Sequence, residues 1–203
     1  LTGFTTGGNN VAVGHEAGLD LTTGGENTLV GKSAGANLTS GDDNIVVGYG
    51  PLELATTATN NVVIGSGTMY AVPASVAVAS CIAIGTAALR GASATTGMNY
   101  TIAIGHSALE KLKSGAGNVA IGYMANFGNE TGHRNTAIGY QANLEGTTGR
   151  GNTVLGYRAM WQSGGDVTAQ DNVFIGPYSG GGDWGGAGVD NNIGIGYATL
   201  NGV

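Results

Sequence analysis

The sequence predicts an all-β chain wound as a parallel β-solenoid, and three observations carry that reading. A short unit, Asn-x-apolar-[Val/Ile/Leu]-Gly-x-x-small, recurs along the whole chain. Its glycine returns every 17 or 20 residues. The three residues before that glycine are mostly β-branched or small and apolar, which suits strands and disfavours helix.

The clearest copies lie at residues 10–17 (NVAVGHEA), 27–34 (NTLVGKSA), 118–125 (NVAIGYMA), 135–142 (NTAIGYQA) and 152–159 (NTVLGYRA). The glycine stands at Gly14, Gly31, Gly48, Gly65, Gly85, Gly105, Gly122, Gly139, Gly156, Gly176 and Gly196. Successive spacings run 17, 17, 17, 20, 20 and then repeat, so two 91-residue super-repeats form a single repeat domain over residues 1–203. A unit this short cannot hold a βαβ crossover or a propeller blade. It suits one coil of a solenoid whose strands pair in parallel with the coils above and below. About eleven coils, at roughly 4.8 Å per strand, make a rod about 50 Å long. The three-residue insertions read as bulges from one corner.

Within each unit the first and third strand positions are apolar or Thr and mostly β-branched: Val11 and Val13, Ile45 and Val47, Ile82 and Ile84, Ile193 and Ile195. They share a face, and we expect them to fill the stacked core. The residue between them points the other way and never carries a polar side chain: Ala12, Leu29, Val46, Val63, Ala83, Ala103, Ala120, Ala137, Val154, Phe174 and Gly194. A strand with one wet face would place Thr, Ser, Lys or Glu there, so both faces are expected to be dry. The thin coil covers one face itself. The row containing Ala12, Val46 and Phe174 is expected to need neighbouring chains, with a parallel trimer as the assembly.

Asparagine leads nine of the eleven copies, at Asn10, Asn27, Asn44, Asn61, Asn118, Asn135, Asn152, Asn172 and Asn192, with Cys81 and Thr101 in the other two. The side-chain amide can bond turn backbone and stack on the Asn one coil away, so a structural ladder is expected.

Composition narrows the function. Seven basic against thirteen acidic residues, formal charge −6, oppose nucleic-acid binding, which needs Lys and Arg to displace counterions. The lone cysteine excludes an internal disulfide and a cysteine metal cluster. The most apolar window, residues 71–89, is broken by Pro, Ser, Gly and Thr, which argues against membrane insertion. The chain opens on Leu1 without a signal peptide and reads as a fragment or processed form.

The NTAIGYQA and NVAIGYMA units, with TTG turns at residues 22–24, 95–97 and 147–149, resemble the head repeats of YadA-like trimeric autotransporter adhesins and the repeats of bacteriophage tail fibres. The resemblance spans nearly the whole chain. It implies a left-handed parallel β-roll, three chains around one axis, and attachment to a host cell surface through a glycan or protein receptor. Coils of 17 or 20 residues are longer than the usual adhesin-head coil, and with the TTG turns they favour a tail fibre in a virion over a bacterial adhesin head at the cell surface.

Patterns that match catalytic signatures are explained by the repeat. Residues 31–35 (GKSAG) fit a nucleophile elbow, but they only end the second unit, where other copies carry Glu16, Gly67, Met124 or Gln141. The run at residues 185–190 resembles one calcium nonapeptide, yet a stacked array needs consecutive copies. His15 and His106 share a repeat site with Tyr49, Tyr123, Tyr140, Tyr157 and Tyr197, and no second His stands at metal-ligand spacing. No cofactor, metal or catalytic residue is therefore assigned, and a non-enzymatic fibre is expected. A polysaccharide-degrading tail spike is the rival, and it would need two converging carboxylates. Candidate ligand contacts are the stripe residues Tyr123, Tyr140 and Tyr157, and the aromatics Tyr70, Trp161, Tyr178 and Trp184 of the longer coils at 69–80, 160–171 and 178–190.

Overall fold

The computed structural model describes residues 6–91, 97–161, 168–182 and 190–201. Trp184, the 185–189 part of the calcium-like run, and the middle of each inserted segment of the last three longer coils (92–96, 162–167 and 183–189) lie outside them.

Eleven three-residue strands form one parallel sheet in simple chain order. They are β1 (Val11–Val13), β2 (Thr28–Val30), β3 (Ile45–Val47), β4 (Val62–Ile64), β5 (Ile82–Ile84), β6 (Ile102–Ile104), β7 (Val119–Ile121), β8 (Thr136–Ile138), β9 (Thr153–Leu155), β10 (Val173–Ile175) and β11 (Ile193–Ile195). Each pairs in register with the next, as in Val11↔Thr28 and Ile102↔Val119, so equivalent residues of every unit stack in columns. The architecture is a parallel β-solenoid of ten full turns between the first strand and the last.

Three places in each turn take a left-handed backbone. One lies just before the leading Asn (Glu26 φ 59°, Arg134 φ 57°); the others are two and four residues past the unit's glycine (Ser33 φ 53°, Leu52 φ 52°). These are the corners at which the described chain, without helix or hairpin, turns back on itself within 17 or 20 residues. The glycine after the strand is required for a further reason. At Gly122 φ is 133°, and a Cβ would lie 2.4 Å from the carbonyl oxygen of Gly139 one turn on. Only a residue without a side chain lets consecutive turns close to strand spacing there.

The orientation of the strands reverses one expectation. The middle residues face inward and are fully buried within a single chain from Leu29 to Phe174, while Ala12 in the end coil is partly buried. The flanking β-branched residues point outward. Val13 is 58% exposed, Ile45 46% and Ile195 65%. The row expected to meet neighbouring chains is thus the interior of the coil, and the row expected to be core is its outer face. A coil this narrow can turn only one side chain per three-residue strand inward, and the flanking pair must splay out.

Interior packing shows a volume exchange between columns. The inward strand residue meets the corner residue four positions after the glycine. Where the strand carries its two largest groups, Leu29 and Phe174, the corner is glycine: a Cβ on Gly35 would sit 3.2 Å from Leu29 Cδ2, and one on Gly180 only 2.6 Å from Phe174 Cγ. Where the strand carries alanine, as at Ala83 and Ala103, the corner holds Leu89 and Leu109, both fully buried. The cross-section stays filled, as close packing demands.

Candidate functional site

The asparagine column forms the spine of the interior. Wherever one ladder Asn follows another a turn later, Oδ1 of the first accepts both the backbone N–H and the side-chain Nδ2–H of the second, as between Asn27 and Asn44 (3.1 and 2.8 Å) and between Asn135 and Asn152 (3.0 and 3.0 Å). Nδ2 also donates to the carbonyl three residues before the next ladder position, as from Asn135 to Gly149 (2.8 Å). From Asn27 to Asn172 the ladder amides are buried and bonded to one another or to backbone, so the column is a structural device. Cys81 keeps part of the pattern. Its backbone N–H donates to Asn61 Oδ1 (2.9 Å) and its thiol to the Met98 carbonyl (3.1 Å). Burial pushes that thiol up to about 11 against the opposing pull of the Thr101 and Tyr100 backbone, so it remains a protonated donor at neutral pH. Replacing Asn135 with alanine leaves the Gly149 carbonyl and the Asn152 N–H unpaired. We expect that change to lower unfolding free energy by about 2–4 kcal/mol in chemical denaturation.

The most conspicuous surface feature is a ladder of rings in the column after the glycine. His106, Tyr123, Tyr140 and Tyr157 stack at centroid distances of 5.5, 5.1 and 5.3 Å with interplanar angles of 12–21°. Pro177 occupies the next rung, and Tyr178 replaces it by meeting Tyr157 and Tyr197 edge-on. Arg158 lies 5.5 Å from the Tyr157 centroid and 5.1 Å from that of Trp161, joining the ladder to the neighbouring corner, and its Nε donates to Gln141 Oε1. Of the residues singled out from sequence, Tyr123, Tyr140, Tyr157, Tyr178 and Trp161 therefore form one surface. Tyr70 lies apart in the first super-repeat.

Geometry limits what this ladder can do. Its stacked rings cover one another's faces and present edges and hydroxyls to solvent, so a sugar cannot lie flat on them along the rod. Open ring faces occur where the column loses its aromatics. The longest such gap among the described residues is in the first super-repeat, where Tyr49 is followed by Ser66 and Thr86. A groove of about 540 Å³ opens there. Of its contributors, Tyr49 and Lys32 are legible in the sequence only as rungs of the repeated Tyr/His column, and the sequence does not single out Glu53 or Arg90 as site residues. Comparing positions 91 residues apart reveals the opening itself, since Ser66, Gly67 and Ala87 stand against Tyr157, Arg158 and Tyr178.

The residues that resembled catalytic motifs have ordinary partners. Ser33 is buried and donates to Glu16 Oε2 (3.2 Å), which also lies 3.4 Å from His15 Nδ1. Among the described residues no group of three or more His, Cys, Asp or Glu gathers as a metal site, and no helix is long and apolar enough to cross a membrane. The fold places the chain in the class of parallel β-solenoids. Comparisons with models of known families, with curated proteins and with solved structures return no match.

Proposed function

We propose that this chain is a segment of a structural and adhesive fibre that assembles as a left-handed homotrimer and attaches to a host cell surface, as in a phage tail fibre. The observation that carries the reading is the outer sheet face. Two columns of mainly Val and Ile run through all eleven strands, exposed or half-buried in the single chain, and among the described residues no strand packs on them beyond the turns above and below. Such a strip is about 48 Å long at the usual strand spacing. Monomeric proteins rarely leave a continuous apolar surface of that kind in water, and such patches mark association sites. Every turn presents the same pair of side chains, so identical chains packed parallel and in register match rung for rung. Three chains sharing one axis would enclose the narrow strip from all sides.

The same features support a mechanical role. Stacked turns transmit load along the rod, and three identical chains display repeated weak contacts whose combined avidity exceeds that of any one. The fibre would act by binding, without degrading the surface it recognises. The assembly is tested by light scattering, which should give three times the chain mass of 20.0 kDa. Attachment is tested by labelled protein on intact host cells, with and without glycosidase treatment. A stable monomer would remove the basis for the fibre, and release of reducing ends from surface polysaccharide would turn the reading towards a tail-spike enzyme.

A further inference from the structure

We infer that the open groove of the first super-repeat is a binding site for a neutral oligosaccharide. The inference rests on the attachment reading for the source of the sugar, and on the groove's own chemistry for everything else.

The solenoid itself does not need the groove. Ser66, Gly67 and Ala87 leave it open, and the residues 91 positions later are Tyr157, Arg158 and Tyr178, which fill the same place in the second super-repeat. The backbone hardly differs: φ is 61° at Gly67 and 50° at Arg158, 56° at Ala87 and 57° at Tyr178. One scaffold accepts both the filled and the open form. The opening is a property of these side chains, not a consequence of packing.

Its walls carry groups suited to a sugar. Tyr49 is 63% exposed, with Lys32 Nζ 5.4 Å from its ring centroid. The next two rungs, Ser66 and Thr86, have no ring to cover it, so an aromatic face remains for the C–H side of a pyranose. Tyr70 lines the same groove. Glu53 Oε2 reaches over Gly50, where a Cβ would lie 2.8 Å away, and glycine there makes room for the carboxylate. That carboxylate has no hydrogen-bond or ion-pair partner among the described residues. Arg90 stands 3.6 Å from Glu110 and retains donors. The lining offers both signs, Glu16 and Glu53 with Lys32 and Arg90, and Arg90 is already paired with Glu110, so no concentrated positive or negative charge selects an ionic ligand. Adjacent carboxylate acceptors and cationic donors suit the vicinal hydroxyls of an uncharged sugar, and about 540 Å³ falls within the roughly 300–1,000 Å³ typical of small-ligand sites.

The test uses the assembled protein with maltotetraose, cellotetraose, chitotetraose and lacto-N-neotetraose, read by saturation-transfer NMR and calorimetry. At least one should bind, and its signal should fall at least tenfold in the Ser66→Tyr, Gly67→Arg, Ala87→Tyr variant, which borrows side chains the scaffold already carries. Thermal midpoint and assembled mass should be unchanged in that variant. Glu53→Gln, a change unlinked to folding, should weaken binding at least fivefold. Absence of binding by all four sugars, or equal binding by the filled variant, would overturn the groove assignment even if the protein still attaches to cells. Sugar binding that the filled variant abolishes, in a protein that ignores cells, would uphold the groove and overturn the attachment reading alone.

Discussion

Aspartate at Ile84, Ile104 and Ile121 is expected to convert the assembly into folded monomers. These side chains stack on the outward face of consecutive turns, from β5 to β7. In a monomer they border water, so three carboxylates there cost the coil only the repulsion of like charges on adjacent rungs, which water and salt screen. In an assembly they would be enclosed against the same residues of neighbouring chains, where an unpaired charge costs several kcal/mol. Association should weaken by at least three orders of magnitude in analytical ultracentrifugation, while circular dichroism keeps its β signature. The companion change, Ala103→Asp, tests orientation. Ala103 directly precedes Ile104 in sequence but is fully buried inside the coil, so a charge there should unfold the surrounding turns. Dissociation by Ala103→Asp with an intact fold, and no effect of the three outer changes, would show that the faces are assigned the wrong way round.

Gly122→Ala should be among the most damaging single-methyl changes available in this chain. The new Cβ would meet the Gly139 carbonyl oxygen at 2.4 Å and its carbon at 2.7 Å, both backbone atoms locked into the next turn. Relief requires prising two turns apart, which breaks strand pairing on both sides, so a loss of at least about 3–4 kcal/mol is expected. Gly67→Ala gives the contrast. Its φ of 61° is shared by residues with side chains at the same site in other turns, and a Cβ there meets nothing within 4 Å. Its cost should stay near 1 kcal/mol or below. Thermal and urea denaturation of the two variants at equal protein concentration would measure the difference.

Much of this could be read without coordinates. The strands fall on the three residues before each repeated glycine, and their pairing follows from identical units meeting in register. The aromatic ladder was visible as a recurring Tyr or His, though not the stacking that hides its ring faces. The side of the strand that turns inward was misjudged, because both faces are apolar and hydrophobicity alone cannot rank them. A finer signal was present: Leu29 faces Gly35, Phe174 faces Gly180, and Ala83 faces Leu89, a reciprocity of size expected only between side chains sharing one enclosed space. Tyr49 and Glu53 stayed hidden for a different reason. Neither is unusual in its own turn, and they converge only when successive turns are stacked.

The amino-acid order alone determined that this protein repeats, with what period, and that its short strands pair in parallel, because a 17-residue unit has no other regular way to satisfy its backbone. Tertiary structure decided which face is core and where a groove opens. Both depend on how wide the coil is and on which side chains meet across turns, and neither quantity is local to any stretch of chain.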